Sequence, residues 1–118
     1  MNGDRLFLQH ILGAIEKIRG YSSVGRETFF RESHWQDAII RQLEIIGEAT
    51  KRLSSETRSR KHDVPWRRIA GLRDVLIHDY MGVDLEAVWQ ITRTELPSLE
   101  TAVRGLIEAL PPDRIPPA

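Results

Sequence analysis

Between Gly71 and Tyr80 the chain reads GLRDVLIHDY, and five of its side chains, Arg73, Asp74, His78, Asp79 and Tyr80, have types that do chemistry. A histidine at position 78 titrates near neutrality and can accept or give up a proton. The guanidinium of Arg73 is permanently charged and presents a planar fork of donors to anionic oxygens. Asp74 is a carboxylate one turn before the histidine, and Tyr80 carries a phenolic hydroxyl. At about 100° per residue on a helix, Tyr80 falls within about 20° of Arg73, and Asp74 and His78 form an i, i+4 pair on a neighbouring face. Arg73 and His78 are about 140° apart on an ideal helix. They converge only if the helix ends near His78, if the long arginine reaches around, or if a second subunit supplies one of them. The same residues have plainer readings. His78 can interact with Asp74 and the negative end of the helix dipole, Tyr80 can be a core aromatic with its hydroxyl at the rim, and Arg73 can be an ordinary ion-pair residue.

Other chemistries lack their signatures. The sequence contains no glycine-rich phosphate loop, no G-x-S-x-G and no H-E-x-x-H, and His10, His34, His62 and His78 have no helical pair spacing that suggests a metal site. Zero cysteines remove a thiolate nucleophile, cysteine-ligated zinc and a disulfide framework, and fit a reducing cytoplasm.

The elements that must position these residues follow from apolar periodicity. Phe7, Ile11, Ile15 and Ile18, widened by Leu8 and Leu12, predict a helix over 4–19 that stops near Gly20. The connection YSSVGRETFF should pack its phenylalanines onto the bundle. Ser33 followed by Gln36 has capping-box spacing, and Trp35, Ile39, Leu43, Ile46 and Leu53 trace one face of a long second helix. Gly47 within it predicts a close approach by a neighbouring helix. SSETRSRKHD reads as an exposed loop. Pro65 suits the first turn of a third helix, whose stripe runs Trp66, Ile69, Leu72, Leu76 and Tyr80 to a stop at Gly82. Asp84 can cap a fourth helix, and Pro97 predicts a kink or break near Glu95.

These patterns predict an all-α protein, an antiparallel bundle of four to five helices in a single domain over residues 1–110, with 111–118 a proline-rich flexible tail. The 118 residues suffice for one core, and a composition 41% hydrophobic and 29% charged is that of a soluble globular chain. No stretch approaches the roughly 18 apolar residues of a membrane span, and Asp4 and Arg5 interrupt any signal peptide, so a cytoplasmic location without membrane contact is expected. The 17 basic and 17 acidic groups cancel, which argues against a protein that coats nucleic acid. Residues 51–73 nevertheless carry eight basic groups against two acids. Such a patch either attracts phosphates over a limited footprint or is a solvated face.

The pattern R-x-x-x-x-H-x-Y, here Arg73, His78 and Tyr80, resembles the signature of the HEPN superfamily. The resemblance is specifically to HepT-like toxins paired with a nucleotidyltransferase antitoxin, a type VII-like toxin–antitoxin arrangement. The flanks support it: QDAIIRQLEIIGEATKRLS is similar to the family's second helix and VPWRRIAGLRDVLIHDYMGVDLEAVWQIT to its motif-bearing segment. The resemblance implies a homodimer with two motif copies facing a shared cleft, able to form a larger complex with the antitoxin. It also implies a metal-independent RNA endonuclease that needs no cofactor. Arg73 and His78 would then be catalytic, with Asp74 orienting the imidazole, and Tyr80 would be the acceptor of AMP from the antitoxin. Arg67, Arg68 and the preceding Arg60 and Lys61 are candidates for contacts with the RNA backbone. The alternative is a non-catalytic module that binds nucleotides or serves as a dimeric platform for a nucleotidyltransferase partner.

Overall fold

The computed structural model describes residues 3–76 and 82–111. His78, Tyr80 and residues 112–118 of the expected tail lie outside them. Among the described residues the chain is a helical bundle: α1 (Asp4–Ser22), α2 (Arg26–Arg31), α3 (Ser33–Lys51), α4 (Ser55–Ser59), α5 (Trp66–Ala70), α6 (Leu72–Leu76), α7 (Leu85–Gln90), a π-helical turn (Ile91–Glu95) and α8 (Leu96–Ala109). None of these helices is long and apolar enough to cross a membrane.

Two tethers show that α1 runs antiparallel to both of its long neighbours. At its start, the Asp4 carboxylate accepts from the Ser54 amide at 3.0 Å, the Ser54 hydroxyl at 2.6 Å and the Thr57 hydroxyl at 2.5 Å, just beyond the end of α3. Next to it, the Arg5 guanidinium donates to the Leu110 and Pro111 carbonyls at 3.0 and 2.9 Å, where the last turn of α8 leaves acceptors open. Near the other end of α1, Arg19 pairs with Glu100 of α8. The core between these helices is the predicted stripes: Leu8, Ile11, Ile15 and Ile18 of α1, Ile39, Leu43 and Ile46 of α3, and Leu99, Val103 and Leu106 of α8 are all buried. Phe29 of α2 is fully buried and lies 5.1 Å, ring to ring, from Trp89 of α7, so the aromatic connection does pack down.

Several local expectations hold. The Asp84 side chain accepts from the Ala87 amide and caps α7. The chain departs from α geometry over the π turn that ends at Glu95 and resumes with Pro97 in the first turn of α8, where its missing donor leaves no gap. Gly82, the expected stop of the third helix, has φ +115°, a conformation glycine adopts without penalty, while the residues just before it lie outside the described ones.

Others are corrected. The third helix is not continuous, because α5 ends at Ala70 and Gly71 turns the chain before α6. The SSETRSRKHD stretch is not simply an exposed loop: Ser54 caps α4 by accepting from the Thr57 amide, and Thr57 is buried against Asp4. Ser33 and Gln36 do not form a capping box. Gln36 instead donates to the carbonyls of Phe29 and Phe30 and ties α3 back to α2.

Gly47 explains how α5, a five-residue helix too short to persist alone, keeps its place. A Cβ built on Gly47 would stand 3.3 Å from the Ala70 carbonyl oxygen and 3.4 Å from that of Ile69. The bare backbone of α3 therefore receives the end of α5 directly. Gly47→Leu is expected to destabilise the fold by about 1 to 3 kcal/mol through overpacking, measured as a lower urea midpoint. An unchanged midpoint would show that α5 can lift from α3 without loss.

Candidate active-site groove

Arg73 is the second residue of α6 and is exposed, and no ion pair or hydrogen bond holds its side chain among the described residues. It borders a groove of about 380 Å³ between α1, α3 and the α5–α6 pair. Helix α1 supplies Phe7 and His10. Helix α3 supplies Arg41, Glu44, Ile45 and Glu48 at helical spacing, with Lys51 and Arg52 at its end, and Ala70 joins Arg73 from the other side. The floor is apolar, through Phe7, Ile45, Ala49 and Ala70, and the rim is charged. Four permanent cations, Arg41, Lys51, Arg52 and Arg73, face two carboxylates, Glu44 and Glu48. One of those carboxylates is engaged, since Lys51 reaches Glu48 at 3.4 Å. The Arg52 guanidinium lies 5.9 Å from the Phe7 ring centroid, and the His10 ring stands edge-on to Phe7 at 6.0 Å.

The remaining predicted residues separate into different surroundings. Asp74 is exposed, and its amide donates to the Gly71 carbonyl at 2.9 Å, which completes the turn into α6. Arg67 is exposed on α5. Arg68 is committed to Glu95, its guanidinium 3.2 Å from the carboxylate, and so bridges α5 to the π turn. Arg60 lies 3.6 Å from Glu56. Lys61 belongs to another cavity, of about 380 Å³, lined also by Asp63, Ile69 and Glu95. Of the basic segment read from the sequence, Lys51, Arg52 and Arg73 share the groove. Arg41 and His10, which also line it, come from elsewhere in the chain. The signal that marks Arg41 is its i, i+3, i+4, i+7 register with Glu44, Ile45 and Glu48 on the face that also carries Arg52.

His78 and Tyr80 are outside the described residues, but the points between which they are strung are fixed. The Asp84 amide donates to the Leu76 carbonyl at 2.9 Å. The chain therefore leaves α6 and returns toward α7 at one place, three residues along from Arg73.

The family model for the ribonuclease HepT-like proteins matches residues 11–106, a range that includes the whole of the Arg73–Tyr80 motif. The chain belongs to the ribonuclease HepT-like family. Its relatives agree. This HepT-like chain is 40% identical over 107 residues to a Methanocaldococcus jannaschii protein named as a gamma-glutamylcyclotransferase and, provisionally, an RNase; the match covers 90% of the chain and 48% of that protein. It is 40% identical over 112 residues to a protein of Caldanaerobacter subterraneus subsp. tengcongensis, also named provisionally as an RNase, with 92% of the chain and 97% of the relative covered. A Thermococcus cleftensis protein whose name assigns it by inference as ribonuclease HepT is 39% identical over 95 residues, which covers 80% of the chain and 86% of the relative. The HepT-like chain thus spans about half of the first relative and nearly all of the second. No solved structure matches it significantly.

Proposed function

We propose that this HepT-like chain is an endoribonuclease that cleaves RNA by internal attack of the 2′-hydroxyl, without a metal ion. The observation that carries the reading is Arg73, a surface guanidinium in the family motif at the edge of a cation-rimmed groove. RNA brings its own nucleophile. A base removes the 2′-hydroxyl proton, the 2′-oxygen bonds to the adjacent phosphorus, and the bond from phosphorus to the 5′-oxygen breaks. An acid protonates that leaving oxygen, and the products are a 2′,3′-cyclic phosphate and a 5′-hydroxyl end. Histidine suits either proton transfer, and a preorganised guanidinium stabilises the negative charge that accumulates on the phosphoryl oxygens.

One His78 per chain is one proton carrier short, so the active species is a homodimer in which the two copies divide the roles of base and acid. Asp74 orients the imidazole. Tyr80 is the control point: a nucleotidyltransferase antitoxin transfers AMP from ATP to its hydroxyl, the tyrosyl oxygen bonding to the α-phosphorus as pyrophosphate leaves and the phenol proton is lost. The resulting negative phosphodiester and nucleoside repel the substrate phosphate. The protein is then the toxin of a toxin–antitoxin pair.

The test is incubation of total RNA with the purified protein in excess EDTA beside His78→Ala, with the new ends identified and the protein mass checked for bound AMP. Unmodified wild type should generate cyclic-phosphate ends and His78→Ala none. Intact RNA with unmodified wild type would overturn the nuclease reading in favour of a non-catalytic platform.

A further inference from the structure

We infer that the groove between α1, α3 and α6 is a binding track for the single-stranded RNA that flanks the cleaved linkage, with Arg41 and Arg52 contacting its phosphates and Phe7 and His10 receiving a base. The inference rests on the nuclease reading for its substrate and on separate residues for its argument.

The two arginines lie on one face of α3 and at its C-terminal end, eleven residues apart, or about 16 Å at 1.5 Å per residue. That span exceeds a single nucleotide and suits a strand laid along the helix. Neither guanidinium has an ion-pair partner among the described residues, although exposed arginines elsewhere on the molecule, such as Arg26, Arg68 and Arg104, are paired. Arg73 borders the same groove, so a strand seated on Arg41 and Arg52 continues toward the motif. Beside the cations the groove offers ring surface: Phe7 is half-buried, and the exposed His10 ring stands edge-on to it. Alternating cations and aromatic rings along a trough are how proteins hold single strands without reading their sequence, since every base has a stacking face. Glu44 and Glu48 lie between the two arginines along α3 and repel phosphate, so the strand's phosphates are held at the two ends of the span, over Arg41 and Arg52.

The test measures binding and cleavage separately. Fluorescein-labelled single-stranded RNA of mixed sequence is titrated by anisotropy at several salt concentrations against His78→Ala, which keeps the RNA intact, and against the same protein carrying Arg41→Ala and Arg52→Ala. Loss of two phosphate contacts is expected to weaken binding at least about tenfold and to lower the slope of log Kd against log salt by about 1.4. His10→Ala should weaken it by several-fold with the slope unchanged. In the otherwise native protein, the arginine pair should raise KM with kcat held. An unchanged Kd and slope overturn the track. So does an effect confined to oligomeric state, measured by light scattering, which would assign the groove to a protein contact. The two readings fail differently: cutting with an unaltered KM in the arginine pair removes the track and leaves the nuclease, whereas groove-dependent binding by a wild type that cuts nothing removes the nuclease and leaves the track.

Discussion

Arg73→Ala is expected to lower the rate of RNA cleavage by about two to three orders of magnitude, the usual loss when one preorganised donor to a developing oxyanion is removed, with folding stability changed by less than about 0.5 kcal/mol. The two halves of the result have the same structural origin. The side chain is at the surface and makes no ion pair or hydrogen bond among the described residues, so its removal leaves nothing buried without a partner. Arg73→Lys should recover part of the rate, because the charge returns without the planar fork. Single-turnover cleavage of a defined RNA beside a thermal melt distinguishes the outcomes. If the alanine variant retains more than about a tenth of the wild-type rate, well short of the loss expected for such a donor, Arg73 is a solvated surface residue.

The largest effect on stability is expected at Asp4. Its carboxylate is buried at the start of α1 and accepts three hydrogen bonds from Ser54 and Thr57. Burial by itself raises the pKa of such a group. Here the hydrogen bonds from the two hydroxyls and the Ser54 amide outweigh burial and hold it below the ordinary aspartate range. Asp4→Ala strands those donors in the interior and should cost about 2 to 4 kcal/mol, a fall in Tm of very roughly 10 to 15 °C for a chain of this size. The pH dependence follows from the direction of the shift. A carboxyl group with a lowered folded-state pKa contributes its full stabilisation above its unfolded value, near 3.9. It loses that stabilisation as pH falls through the lower folded-state value. The Tm difference between wild type and Asp4→Ala should therefore be constant from neutral pH down to about 5 and close only below about 4. A gap that stays open in strong acid would mean that the contribution is packing rather than the ionised carboxylate.

Asp4 also shows where the sequence stops being legible. As a string, an aspartate at the head of an amphipathic stripe reads as a solvated first-turn acid, because its partners lie 50 and 53 residues away. Nothing local encodes that pairing, and the same blindness made the α4 segment read as exposed. Features governed by neighbours in the chain are legible, as the Asp84 cap and the discontinuity ahead of Pro97 show, and Gly47 stands out because a glycine inside a helix carries a cost that a close approach must offset. Gly71 was missed for a geometric reason. Trp66, Ile69, Leu72 and Leu76 keep helical spacing across it, so the apolar stripe passes through a turn without a visible gap. The candidate site divides in the same way. Arg73 and Asp74 belong to a contiguous motif and stand out in one dimension, while Arg41, Arg52 and His10 become its neighbours only when α1 and α3 pack.

The bond from Asp84 to the Leu76 carbonyl ties the residue that caps α7 to the last turn of α6. Both ends of the stretch that carries the motif are thereby anchored in packed helices, with Leu76 buried on one side and Val83 set against the core on the other. Loosening either anchor would therefore disturb the reacting groups and the core together.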